Sequence, residues 1–581
     1  MQIFTILSFL FVLGFVAAYT YMKMRGFNKN ESKGSYFLGG RSLTGGVIGA
    51  SLLLTNLSAT NFVGMSAQVF SGNMTNMAYE VTSGFVLVVV ALLLVPRYLK
   101  QGITTIPDFL ESRYDKQVKG IVSFLFLLMF ILNAIPITLY SGAIAITRMF
   151  HIQENFGLSY EASIWITVWC IGIIGFFYAI VGGLKAVAIS DTINGIGLLI
   201  GGLLVPIFGL LALGHGSFGE GLSHLFTATP EKFNAIGNNH DVVPFGAALT
   251  GLILVNFYYW GTDQSIIQRA LAAKNLKEGQ KGVMLAGFFK VLTPIVVCIP
   301  GIIAFQLLGS KTTNPDLMYT QLVNKVLPAP LVGFFAAVMF GSVLSVFNGV
   351  INSTATLFAL NVYEPLFGKG KTDQEIVRNG KRFGFLLGIV SMFIAPLIMY
   401  APDGLFQYVQ VVSGFFNVPI FTVIFMGYVT KRVPAIAAKI SLVFFVGTYA
   451  VLQLIIKPEM SFLYQEAILF VISCAMMLVI GKMKPRETPY VMPINNLVEI
   501  EPWEHRYEAG GFIIFMVFAA YILFSKLGFA GANGFTAMTA LWLLIAAVVS
   551  FAGVLYFKKR DKVAESPVTA AVKGTQDVRV K

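Results

Sequence analysis

Fifteen apolar runs, each long enough to cross a lipid bilayer, follow one another along this chain, and they leave room for one kind of architecture. They lie near residues 2–22, 46–70, 79–98, 118–148, 160–183, 186–214, 242–265, 280–305, 328–362, 378–400, 404–427, 434–455, 464–482, 510–525 and 536–557. A bilayer offers no water to an unpaired peptide group. Each run must therefore close its own backbone hydrogen bonds, which makes it a helix. The loops supply an independent count. Lys and Arg gather after odd-numbered runs, as in 23–41, Arg97–Lys119, Arg269–Lys281, Lys369–Arg382 and Lys558–Lys562, whereas 70–78 carries no charge and 400–404 only Asp403. A missed or invented span would break that alternation. The positive-inside rule then places the odd loops in the cytoplasm, the N-terminus outside and the C-terminus inside, as expected for a multi-pass protein of the inner (plasma) membrane.

Composition agrees. Apolar residues make up 56% of the 581 and charged ones only 12%, about half the usual share of a water-soluble protein. The net charge of +13 sits in short loops and not in basic tracts interleaved with aromatic residues, so it marks topology and excludes nucleic acid as a partner. Cys170, Cys298 and Cys474 lie far apart inside apolar runs, with neither disulfide nor metal-ligand spacing. The first run has no basic stretch before it and Lys23 and Arg25 after it, which reads as an anchor helix and not a cleaved signal. The five histidines fall in loops or at helix ends and no HExxH motif occurs, so an enzyme is not expected. The polar tail after Lys562 is expected to be disordered.

Polar groups inside a span are costly and mark function or helix contacts. The second run carries Thr55-Asn-Leu-Ser-Ala-Thr-Asn61, a stretch that can unwind and free carbonyls for a cation or a hydroxyl, or can glue two helices. In the third run Glu80 and Ser83 share a helical face; the carboxylate suits a polyol, or snorkels from a helix end. The seventh run holds Asn256, Tyr258, Tyr259, Trp260 and Asp263. An amide beside aromatic rings suits a sugar, although Tyr and Trp also collect at membrane surfaces. Lys290 lies about mid-run in the eighth span and needs a partner, for which Glu80 is the candidate. The ninth run presents Ser342, Ser345, Asn348, Asn352, Ser353 and Thr354, for close packing or cation coordination. The polar breaks of runs two and seven are five helices apart, the spacing of two inverted five-helix repeats that each begin with a discontinuous helix.

At this point the chain resembles the solute:sodium symporter family, and within it the bacterial sodium/sugar transporters. The resemblance rests on Tyr36-Phe-Leu-Gly-Gly-Arg-Ser-Leu43, Asn56-Leu-Ser-Ala59, Phe62-Val-Gly-Met65, Ile106-Pro-Asp-Phe109 and Gly182-Gly-Leu184 with Asp191. It continues with Asn256-Phe-Tyr-Tyr-Trp260, Ile266-Ile-Gln-Arg269, Asn352-Ser-Thr-Ala-Thr356 and Phe406-Gln-Tyr-Val-Gln410, in order and at matching spacing. It implies an all-α integral membrane protein with a LeuT-like core of inverted five-helix repeats and flanking helices. The expected organisation is an anchor helix and loop over 1–45 and a core over 46–428, with repeats at about 46–214 and 242–428. Added helices at 429–560 and a cytoplasmic tail at 561–581 complete it.

The resemblance also implies the site. Glu80, Ser83, Asn256, Lys290 and Gln410 would hydrogen-bond a sugar, Tyr259 would cover it on the inner side, and Met65, Tyr79 and Phe406 would cap it on the outer side. Asn61 stands where the sugar transporters have Gln, which shortens the reach to one hydroxyl. Sodium, the implied coupling ion, would take the carbonyls of Leu54, Leu57 and Ser342 and the hydroxyl of Ser345. Val346 falls where the family has a second serine, so one ligand is missing. Asp191 would relay the ion inward. The implied function is sodium-coupled uptake of a small neutral hexose or polyol by alternating access, with a sodium-independent or proton-coupled transporter of the same fold as the alternative.

Overall fold

The computed structural model describes residues 2–24, 39–309, 315–400, 405–495 and 497–564, without the side chains of Gln2, 177–192, Asp316, 405–408 and 562–564. Among the described residues there is no strand; one isolated bridge joins Leu43 to Ala273. The helices used below are α1 (Gln2–Met24), α2 (Gly45–Asn56), α3 (Ser66–Ser71), α4 (Ala78–Val89), α5 (Lys116–Met129), α6 (Ile135–Met149), α7 (Tyr160–Leu213), α8 (Gly251–Gly261), α9 (Gln264–Leu271) and α10 (Leu276–Leu292). They continue with α11 (Ile299–Leu308), α12 (Ala329–Phe358), α13 (Asp373–Ile394), α14 (Leu405–Gly414), α15 (Asn417–Val429), α16 (Ala435–Val451), α17 (Phe462–Met483), α18 (Arg506–Leu523) and α19 (Ala537–Ala564).

Eleven described helices are long and apolar enough to span a membrane singly. Two further spans are bent pairs, and two shorter apolar helices, Tyr160–Phe176 and Phe245–Gly261, match the fifth and seventh expected runs. Every run expected from the sequence thus has a helical counterpart. The fifth and sixth are joined as α7 by unbroken helical turns, yet α7 is not straight. Its Gly175 packs on Phe347 and its Gly201 on Phe335 of α12. Those contacts are about 39 Å apart along a straight α7 but only about 18 Å apart along α12, at 1.5 Å per residue. The element therefore folds into two legs.

The breaks fall where polar side chains compete with the backbone. In the second run α2 stops at Asn56, Leu57 is extended, and the helix resumes bent by 56° through a π-turn at Asn61–Met65. Ser58 causes this: its N–H (3.4 Å) and its hydroxyl (3.2 Å) both turn to Asn61 Oδ1 and not to the preceding turn. In the seventh run α8 ends at Gly261, and Asp263 restarts the chain as the N-cap of α9 by accepting from Ser265 N–H at 2.7 Å. The eighth run bends by 41° at Pro294, which has no N–H to continue the ladder. The eleventh is interrupted at Phe415–Phe416, between α14 and α15.

The core surrounds α12, which is buried along most of its length. The periphery is apolar and exposed, as in Phe11 of α1, Val443 of α16 and Phe551 of α19, a surface suited to lipid. The stretch 482–508 is pinned across the basic-loop end. Asn495 N–H reaches Lys100 O (2.7 Å), Leu276 N–H reaches Glu499 O (3.0 Å) and Trp503 N–H reaches Gln280 Oε1 (2.8 Å).

Candidate functional site

The broken second and seventh runs and the eleventh, with α4, α5, α6, α10 and α12, line a cavity of about 220 Å³. Asn61, Met65, Tyr79, Glu80, Ser83, Asn256, Tyr259, Lys290 and Gln410 all line it. The sequence named each of them, on spans far apart in the chain, and the fold brings them to one place. Phe406 and Asp191 have side chains outside the described residues.

At the centre Lys290 of α10 is ion-paired with Glu80 of α4, and both side chains are buried. Taking two charges out of water costs several kcal/mol each, roughly, so the pair persists only with further hydrogen bonds. They are present. Asn61 Nδ2 donates to Glu80 Oε1 at 3.1 Å, and Lys290 Nζ donates to Asn56 Oδ1 at the end of α2. The lysine also lies 5.7 Å from the ring centre of Trp260, a cation–π distance. The amide of Asn61 is thus bound to the carboxylate, and its shortness relative to Gln fits that contact.

A second network joins α4 to α8. Ser83 Oγ lies 2.8 Å from Asn256 Oδ1 and accepts from Trp260 Nε1 at 2.9 Å, while Asn256 Nδ2 donates to Thr82 Oγ1 at 2.8 Å. Tyr259 stands edge-on to Trp260, with ring centres 5.0 Å apart. On the far wall Asn133 of the fourth run donates to Ser413 of α14 at 2.7 Å, and Thr60 donates to Ser141 at 2.8 Å. Asn133, Ser413 and Thr82 were not singled out from the sequence. Asn133 carried the same signal as Asn256, an amide in the middle of an apolar run.

Close approach makes the pair possible. A Cβ on Gly84, one turn from Glu80, would stand 2.5 Å from Val291 Cγ2, next to Lys290. Only glycine at 84 lets α4 and α10 come near enough for Glu80 to reach its partner.

For the cation, Leu54 and Leu57 flank the break of the second run and both are buried. Ser345 Oγ lies 3.5 Å from Thr55 Oγ1, and Ser342 on the preceding turn is buried. Thr55 donates its own proton to Ser51 O at 2.7 Å, which leaves its lone pairs facing outward. Val346 turns its side chain to the solute cavity. Further along α12, the amides of Asn348 and Asn352 are buried with no hydrogen-bond partner. Among the described residues no cluster of His, Cys, Asp and Glu could hold a transition metal.

A helical bundle whose broken spans frame a central cavity lined by polar side chains is the build of a secondary transporter. Residues 36–444 match the family model described as "Sodium:solute symporter family". The chain belongs to this family; it is a membrane transporter and not an enzyme, and sodium is its coupling ion. It is 45% identical over 544 residues to "Uncharacterized symporter YidK" of Escherichia coli (strain K12), covering 94% of each chain. It is 30% identical over 436 residues to "Sodium/glucose cotransporter" of Vibrio parahaemolyticus, covering 71% of this chain and 78% of the relative. The fold is similar to that of a sodium-coupled sialic acid symporter in a substrate-bound outward-open state, with a TM-score of 0.70 at 19% identity, over 84% of this chain and 99% of that one. The architecture is the LeuT-like one expected from the sequence.

Proposed function

We propose that the chain takes up a small neutral sugar, a hexose or related polyol, together with sodium, through the cavity lined by Glu80, Lys290 and Asn256. The observation that carries this reading is the Glu80–Lys290 pair inside that cavity. It presents a strong acceptor and a strong donor with no net charge to attract an ion. A polyol hydroxyl both gives and accepts, so one molecule can bridge the pair, with Ser83, Asn256 and Gln410 reading further hydroxyls. Tyr259 and Trp260 offer ring faces to the apolar side of a pyranose. The name of the Vibrio relative points to the same class of solute.

The sodium ion takes the carbonyls of Leu54, Leu57 and Ser342 and the hydroxyl of Ser345, with the Thr55 hydroxyl replacing the oxygen that Val346 lacks. Holding both the second and the ninth runs, it favours one arrangement of the two, and solute binding follows. The cytoplasm-facing basic loops and the relay role of Asp191 belong to the same reading.

Proteoliposome uptake tests it. A thermal-shift screen of neutral sugars with and without sodium selects the solute, and its labelled form should accumulate only under an inward sodium gradient. Uptake that persists without sodium overturns the coupling. Stabilisation by anionic sugars alone overturns the neutral-solute assignment.

A further inference from the structure

We propose that Glu466 is a proton-binding site: its carboxyl is un-ionised in the arrangement seen here, and release of the proton loosens α14, the half-helix that carries Gln410 and Ser413 to the solute cavity. Glu466 lies on α17, outside the residues that line the cavity, and is fully buried. Among the described residues neither carboxyl oxygen has a hydrogen-bond partner. A buried carboxylate with no donor and no cation carries a cost that protonation removes.

Its surroundings leave protonation as the remaining way to neutralise it. α8, α14 and α15, which pack against α17, contain no charged residue. The one charged residue of α16, Lys439, is paired with Asp115 at 2.7 Å. The titratable groups near the carboxyl are Tyr449 of α16 and Tyr79 of α4, both neutral phenols. Tyr449 is committed as a donor to Val411 O at 3.2 Å.

The position is specific. α14 ends at Gly414, and a Cβ there would meet Glu466 Oε1 at 2.3 Å and Tyr449 Oη at 2.5 Å. The absent side chain thus makes the notch that the carboxyl fills, against the last turn of α14. That turn offers the carboxyl no donor: its carbonyls at Val411, Val412 and Ser413 accept from Tyr449 Oη and from the Phe415 and Phe416 N–H groups. Directly after it the helix is interrupted by a turn at Phe415–Phe416. Glu466 therefore sits beside the turn between α14 and α15. When its O–H bond breaks, the proton passes to water and the bare carboxylate is left buried without a donor. The charge is relieved only if α14 moves and water enters.

Two measurements on the full-length protein test this, and neither needs the solute. Infrared spectra of wild type minus Glu466→Gln should show the C=O stretch of an un-ionised carboxylic acid at neutral pH, and base should bleach it. Its absence at neutral pH overturns the proposal. Second, Ser413→Cys is placed in a chain whose three native cysteines are replaced, and its labelling by a water-soluble maleimide is followed against pH. Between the carboxyl's pKa in water and its pKa in the buried arrangement the labelling rate should climb about tenfold per pH unit relative to the same chain with Glu466→Gln, until opening is complete. Parallel profiles in the two chains overturn the link to α14. Failure of sugar uptake would leave both readouts standing, and failure of both would leave the transport reading untouched.

Discussion

The Lys290 ammonium and the Glu80 carboxylate form an ion pair whose side chains are only 1% and 3% exposed. The pair also reaches beyond itself, because Lys290 donates to Asn56, the last residue of α2 before the break. The central cavity and the broken segment after α2 therefore share one lysine. A change on either side is felt by the other without any long relay.

Removing one member exposes that dependence. Lys290→Ala leaves Glu80 buried and unpaired, which should cost about 3–5 kcal/mol of stability and abolish uptake. The double variant Glu80→Gln/Lys290→Met should recover most of the lost stability but no transport, since it restores neutrality without the donor and acceptor. Thermal unfolding and proteoliposome uptake, run on the same preparations, separate the two effects. A normal transport rate in Lys290→Ala would remove the pair from the solute site.

The Asn256 network predicts a different signature. Asn256→Leu removes two buried hydrogen bonds, to Ser83 and Thr82, whose hydroxyls keep their bonds to the Tyr79 and Ala78 carbonyls, at about 0.5–1.5 kcal/mol each. The KM for the transported sugar should rise about 10–100-fold, with a smaller effect on the maximal rate. Ser83→Ala should cost less, because Asn256 keeps its bond to Thr82.

Much of this was legible in the sequence because the bilayer penalises polar groups uniformly. Lys290 and Asn256 stand out in apolar runs because a polar group there needs partners, and the fold brings both to the cavity. The break at Leu57 followed from the Thr55–Asn61 polar stretch. Asn133 and Ser413 were legible in principle, yet each is a single polar residue in its run, and only their contact across the fold shows that they face the cavity. The isolation of Glu466 could not be read at all. Its meaning lies in what is absent around it, and absence of partners is a property of packing. The two legs of α7 were legible as the separate runs 160–183 and 186–214, although the helical turns run on without interruption.

Sodium affinity should follow the hydroxyl count. Thr55→Val removes the oxygen that lies 3.5 Å from Ser345 Oγ, and Ser345→Ala removes the other. Each should weaken sodium dependence of uptake about tenfold or more, taking about 1.5–3 kcal/mol for a hydrogen-bond-strength contact to a charge. Val346→Ser should strengthen it, and should partly rescue Thr55→Val. The half-saturating sodium concentration for uptake is the quantity to compare. If Val346→Ser changes nothing in either background, the ion lies elsewhere.

Helix approach sets the last expectation. Gly84 of α4 faces Val291 of α10, and a Cβ at 84 would stand 2.5 Å from Val291 Cγ2, with Val517 of α18 at 3.2 Å on its other side. A methyl there has no free direction, so Gly84→Ala must push α4 and α10 apart. Overpacking of this kind costs about 1–3 kcal/mol. The more telling loss is functional, because Glu80 sits one turn from Gly84 and Lys290 next to Val291, and the two meet only at close range. Gly84→Ala should therefore reduce uptake more than its stability loss accounts for. Val291→Ala, which clears the colliding methyls, should restore both in the double variant. The two substitutions touch, so their effects must be non-additive, and a double-mutant cycle measures the coupling. If uptake by Gly84→Ala stays low with Val291→Ala present, helix spacing is not what holds the pair together.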